Sequence, residues 1–236
     1  IGRTDWDEAC TKEINPKVQY HFCNESLRDS FYSGSWEYQG CEKHSIFMSQ
    51  AATPIKGLHF MLRAMPEILK NYPDAHLYVA GNDLTKTDSL YEKLKISSFA
   101  KYIKRLISEY SLEEKVTFTG SLTEQKMKER FLKSNVFVSP STIENSPNSL
   151  GEAMLLGIPC ISSDVGGVKN LLKHEEEGYV YQTDAPYMLA YYVKKIFAME
   201  KQAEIIGVKA KEHAAKTHNR ERNLEVLLKI YEDILK

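Results

Sequence analysis

From residue 44 onward, short apolar runs alternate with longer stretches whose apolar positions recur every three or four residues. The runs are Ile46-Phe-Met-Ser49, Leu77-Tyr-Val-Ala80, Val116-Thr-Phe-Thr119, Val136-Phe-Val-Ser139 and Pro159-Cys-Ile-Ser162. Between them, Leu58, Met61, Leu62, Met65, Ile68 and Leu69 mark one helix. Leu90, Leu94, Ile103, Leu106 and Ile107 mark a second, interrupted one, and Met127, Phe131 and Leu132 a third. A fourth starts near Ser149, and a short fifth follows Gly166-Gly167. Three more close the chain, over 187–199, 204–217 and 220–236. Strand runs separated by crossover helices predict an α/β domain with a doubly wound parallel sheet over residues 44–219.

Residues 1–43 read differently. They are aromatic and polar by turns, with one strand-like alternation at Val18–Cys23, and are expected to be an arm or linker. Residues 220–236 form a separate last helix with Leu224, Leu227, Leu228, Tyr231 and Ile234 along one side.

Composition narrows the partners. A chain of 236 residues with 42% hydrophobic and 27% charged positions has the makeup of a folded globular protein. Its formal net charge of −1 removes the bulk attraction on which nucleic-acid binders depend, so no nucleic-acid partner is expected and any anion must be held locally. The four cysteines show no C-x-x-C spacing, which fits a reducing, cytoplasmic setting. The longest charge-free stretches are 12 and 11 residues, short of the ~20 that a membrane-crossing helix needs. The chain opens at Ile1 and shows no signal-peptide pattern, so it is expected to be part of a longer protein.

In an open parallel sheet, ligands bind where the strands end. The most informative such segment runs from Ser139 through a polar loop to Glu144-Asn-Ser-Pro-Asn148-Ser-Leu-Gly-Glu152, at the start of a helix. A helix start offers unpaired N–H groups and about half a positive charge, enough to hold a phosphate without an excess of basic residues. Asn148 and Ser149 would supply the first amides. Glu144 and Glu152 suit hydroxyl-rich parts of a ligand, because carboxylates accept hydrogen bonds and repel phosphate. A diphosphate flanked by hydroxyl groups describes a nucleotide sugar. Ser149-Leu-Gly-Glu152 equally fits a helix capping box, and Glu144 alone could be a solvated loop residue. Lys56, after the first strand, could place a point charge beside the phosphates or be a surface lysine. Gly166-Gly167 would let the backbone approach a ligand closely or merely form a turn before a helix. Dinucleotide, P-loop, serine-hydrolase and zinc-protease motifs are all absent from the sequence.

Residues 44–236 resemble the C-terminal, donor-binding domain of the retaining glycosyltransferases of family 4. Their GT-B fold faces two Rossmann-like domains across a cleft. Glu144 to Glu152 matches the E-x7-E motif, continued by Ala153-Met-Leu-Leu-Gly157-Ile-Pro159-Cys-Ile-Ser-Ser-Asp-Val-Gly166-Gly167. Thr117-Phe-Thr-Gly120-Ser-Leu122, Val136-Phe-Val-Ser-Pro140-Ser and Pro54-Ile-Lys56-Gly57 fall in the family's order. The resemblance implies catalytic roles for Glu144, against the donor sugar, and for Lys56, against the diphosphate. It implies donor contacts from Gln50, Leu122, Asn148, Ser149, Leu150 and Glu152, with Glu152 on the ribose and Leu122 near the base. It implies no metal or other cofactor, and transfer of a hexose-type sugar with retention to a glycan or glycolipid. The acceptor would be bound by an N-terminal domain outside this chain, in the cytoplasm or at the inner face of the membrane. Residues 1–43 would be the linker from that domain, 220–236 the helix returning to it, and the chain alone would be inactive. Gln50 stands near the place where such enzymes carry a second cationic ligand, an arginine. A sugar-nucleotide epimerase of related fold and an inactive nucleotide-sugar-binding module are the alternative readings.

Overall fold

A computed structural model describes residues 1–86 and 97–235 of the chain. Six strands form one sheet: β1 (Glu42–Met48), β2 (His76–Val79), β3 (Val116–Phe118), β4 (Ser134–Ser139), β5 (Cys160–Ser163) and β6 (Tyr179–Tyr181). Their order is β3-β2-β1-β4-β5-β6, and every neighbouring pair is parallel. Ile46 in β1 lies beside Leu77 of β2 on one side and Val136 of β4 on the other. All six residues of β4 are buried, as a central strand covered on both faces requires. The first five strands coincide with the apolar runs. The sixth, Tyr-Val-Tyr, is not anticipated by the pattern: three residues are too few to establish a period.

The helices are α1 (Asp5–Ile14), α2 (Leu58–Leu69), α3 (Ser98–Glu109), α4 (Glu124–Lys133), α5 (Asn148–Leu156), α6 (Val168–Leu171), α7 (Pro186–Met199), α8 (Ala203–Thr217) and α9 (Arg220–Ile234). Leu90 and Leu94, assigned from sequence to the second helix, lie outside the described residues. Right-handed crossovers place α2 and α3 on one face of the sheet and α4, α5 and α6 on the other. The packing agrees: α2 touches α3 and α7, while α5 touches α4 and α8. Leu58, Met61, Leu62, Met65 and Ile68 of α2 are buried, which is the stripe that the three-and-four spacing predicts.

Residues 1–43 are not a separate arm, and Val18–Cys23 is not a strand. Only an isolated bridge joins Gly2 to Phe22. Ahead of that stretch stands α1, capped by the Thr4 hydroxyl, which accepts from the Asp7 N–H. Farther on, Leu27, Phe31 and Trp36 enter the main core. The Phe31 ring meets Phe131 edge to face at 5.8 Å between centroids, and Trp36 Nε1 donates to the Ser134 carbonyl at 2.7 Å. At the other end of the chain, α9 buries only Asn223 and Ile230. Leu224, Leu228, Tyr231 and Ile234 are exposed, so most of its apolar side faces solvent. Among the described residues, no helix is long and apolar enough to cross a membrane.

Candidate functional site

The chain runs outward from β1 through β2 to β3, returns to place β4 beside β1, and then runs outward the other way. The crossovers leaving β1 and β4 therefore depart to opposite faces, and a crevice opens beyond the carboxyl ends of these two strands. Two loops line it, 49–57 after β1 and 140–147 after β4.

Their backbones touch. Thr142 N–H donates to the Ile55 carbonyl at 2.8 Å, and a Cβ at Gly57 would stand 1.8 Å from the Pro140 carbonyl oxygen. Gly57 also has φ +75°, so only glycine satisfies both the contact and the conformation. This contact brings Lys56 Nζ within 2.5 Å of Glu144 Oε1, which also accepts from Ser141 Oγ at 2.9 Å. A third loop closes beneath: Gly167 N–H donates to the Glu144 carbonyl at 3.2 Å.

The helix α5 points its N-terminus into the crevice. The Leu150 and Gly151 amides close onto the Pro147 carbonyl at 3.0 and 3.3 Å, which leaves Asn148 and Ser149 as the leading N–H groups. Pro147 precedes the helix and caps it with no side chain. The capping-box reading of Ser149 and Glu152 therefore does not hold, because the helix begins one residue before Ser149. Glu152, 3% exposed, turns both oxygens to Arg28 instead, accepting from Nε at 2.6 Å and Nη2 at 2.7 Å. The hydrogen bonds that Arg28 donates to Glu152 outweigh the effect of burial and raise the Arg28 pKa above its ordinary value.

Arg28 and its neighbours come from the supposed linker. Arg3 Nη1 donates to Asn148 Oδ1 at 3.2 Å and pairs closely with Glu25. Arg3 is itself placed by Asp7, whose Oδ2 accepts from the Arg3 N–H at 3.0 Å and from Asn145 Nδ2 at 2.6 Å. Partial burial pushes the Asp7 carboxyl upward. Hydrogen bonds from the Arg3 N–H, Tyr20 and Asn145 prevail and hold it below the usual carboxylate range.

Together these elements enclose a cavity of about 730 Å³. Six of the eight residues predicted from sequence border it: Gln50, Lys56, Glu144, Asn148, Ser149 and Glu152. The other two do not. Leu122 is half-buried against the core, and the Leu150 side chain is fully buried in it, with its N–H already engaged by Pro147. Sequence reasoning missed Arg3, Glu25 and Arg28, which form the cavity's remaining charged wall. Nothing local marks them, since Arg28 precedes Glu152 by 124 positions. Among the described residues, no group of three or more His, Cys, Asp or Glu is placed to hold a metal ion. Cations beside a helix N-terminus suit an anion, and carboxylates one helical turn away suit hydroxyls.

The chain matches the family described as "Glycosyl transferases group 1" over residues 40–213. An uncharacterized glycosyltransferase of Methanocaldococcus jannaschii is 27% identical over 212 residues, covering 84% of this chain and 50% of that protein. The chain thus spans about half the length of the curated relatives it matches. Sucrose-phosphate synthase from Thermosynechococcus elongatus superposes with a TM-score of 0.80 at 21% identity, over 99% of this chain and 57% of its own. The pneumococcal O-GlcNAc transferase, solved with UDP and GlcNAc, gives 0.72 at 18% identity, over 99% and 44%. At such identities the structural likeness is one of fold: both halves of the crevice belong to a Rossmann-like sheet of the kind found in GT-B enzymes. The family match spans β1 to α8 and takes in both crevice loops and α5, and on that extent the chain belongs to the group 1 glycosyl transferases.

Proposed function

We propose that this chain is the donor-binding part of a retaining glycosyltransferase of family 4. It would hold a nucleotide diphosphate sugar while a hexose-type unit passes to a glycan or glycolipid. One observation carries the reading: Lys56, Glu144, the N-terminus of α5 and Glu152 border a single cavity at the point where the sheet order reverses. The diphosphate lies at the Asn148 and Ser149 amides with Lys56 beside it, the ribose hydroxyls reach Glu152, and the sugar hydroxyls reach Glu144.

The reaction breaks the bond between the anomeric carbon and the β-phosphate oxygen and forms one to an acceptor hydroxyl on the same face. The acceptor's proton passes to the departing phosphate. The helix end, already in place, stabilises the charge that grows on the leaving group, and Lys56 adds to it as the sugar hydroxyls take over Glu144, its partner in the structure. The acceptor is bound by a second domain facing the crevice, at the cytoplasmic face of the membrane, with no metal or other cofactor. An epimerase would need a proton-abstracting histidine or aspartate, and neither stands among the described residues that line the cavity.

Calorimetric titration with UDP, GDP and ADP, each with and without magnesium, tests the reading. One diphosphate should bind without metal, and Glu152→Ala and Lys56→Ala should each weaken it ten- to a hundredfold, the scale of a lost charge-assisted hydrogen bond of ~1.5–3 kcal/mol. Binding of none of the three would overturn it.

A further inference from the structure

The charges on the cavity wall are matched one to one. Arg3 pairs with Glu25, Arg28 with Glu152 and Lys56 with Glu144, so the lining is neutral before any ligand is considered. A nucleotide sugar brings the opposite complement, a polyanion between two sets of hydroxyls. Exchange of partners would satisfy it, each carboxylate taking hydroxyls and each cation taking phosphate.

Arg28 is where the exchange has most consequence. Its Nε and Nη2 occupy both oxygens of Glu152, the same two acceptors that a ribose diol would use. Apart from this pair the guanidinium makes a cation–π contact, 4.7 Å from the centroid of the buried Phe31 ring, at the base from which the side chain can turn. Glu152 stands four residues into α5 from Asn148, so the leading amides are ~6 Å away along the helix axis, within the swing of an arginine side chain. The Arg28 side chain is 42% exposed, which leaves room for that swing. Gln50, which lines the same cavity, contributes no charge.

Building on the donor-site reading above, we propose that Arg28 is a diphosphate ligand that guards Glu152, yielding the carboxylate to the ribose and turning to the phosphates as the donor enters. Arginine suits the task because its planar fork matches a carboxylate and a phosphate equally well.

The proposal requires Arg28→Ala to act in opposite directions on two ligands. Binding of UDP, GDP or ADP, whichever the chain accepts, should weaken at least tenfold. Binding of the matching nucleoside, uridine, guanosine or adenosine, should hold or tighten, because Glu152 is no longer occupied. Arg28→Lys keeps a cation beside the buried carboxylate but loses the fork, and should weaken the diphosphate less than alanine does. It also carries the test if thermal melting shows the alanine variant unfolded: a weaker diphosphate with an unchanged nucleoside supports the exchange. Equal loss for diphosphate and nucleoside would make Arg28 a structural partner of Glu152 and overturn the inference, as would no loss for either. Failure of the unaltered chain to bind any nucleotide would instead overturn the donor-site reading itself.

Discussion

Glu144 and Glu152 belong to one short segment yet are held by different means. Glu144 is fixed by its neighbours in three loops, with a lysine and a serine on its carboxylate and Gly167 on its carbonyl. Glu152 is fixed by a helix and by one arginine from a distant segment. Both border one cavity, but their seven-residue separation does not show what holds each of them. The double glycine forms the turn before α6, and its close approach is to the backbone of the Glu144 loop. Gly166 has φ +50°, and a Cβ there would stand 1.8 Å from the Glu144 carbonyl oxygen. Gly166→Ala should therefore lower stability by about 3 kcal/mol, combining left-handed strain with overpacking. It should also weaken nucleotide binding by displacing Glu144. Urea unfolding and the same titration measure the two effects; an unchanged unfolding midpoint would mean that the loops are not clamped at this point.

Among the elements, those with a long apolar stripe were legible and those held by other forces were not. The helix α2 declares itself through six buried residues in twelve, whereas α1 buries none. What makes α1 helical is its start, where Thr4 caps the Asp7 amide and three acidic residues occupy the first turn. The Thr4-Asp-Trp-Asp7 spacing resembles a capping box and was available as a signal, but no apolar run followed to give it weight. The turn at 29–32 was hidden for the opposite reason: a lone Phe31 has no period, although it is fully buried against Phe131. If this segment is part of the core, Phe31→Ala should cost about 3–5 kcal/mol, the range for a buried aromatic truncated to alanine. Denaturant unfolding reads this directly. A loss below about 1 kcal/mol, typical of surface positions, would restore the view of an external arm.

At the scale of the whole molecule, His218 ties three parts together. It ends α8, its Nδ1 lies 2.8 Å from the Glu25 carbonyl, and its Nε2 is buried without a partner against α5 near Gly151. Burial lowers its pKa, opposed only in part by the bond to Glu25. The unfolded chain therefore takes up this proton at higher pH than the folded one. Its contribution to stability is complete above the ordinary histidine value of about 6.5 and is lost as pH falls through the depressed folded value. His59 and His76, also lowered by burial, act in the same sense. Thermal unfolding between pH 7.5 and 5 should show the midpoint falling on acidification, and falling less in His218→Asn, which keeps the other two histidines. Equal slopes in the two proteins would show that His218 accepts its proton freely in the fold. The sequence by itself determined the order of the first five strands and of the helices between and after them, the parallel sheet and the loops at its carboxyl ends. Those follow from burial along each element, which imposes a period that neighbouring residues reveal. Only the tertiary structure decided that residues 1–43 wall the cavity and that Arg28, not a capping amide, meets Glu152. Such pairings depend on ångström-scale placement of segments more than a hundred residues apart, and no local pattern encodes them.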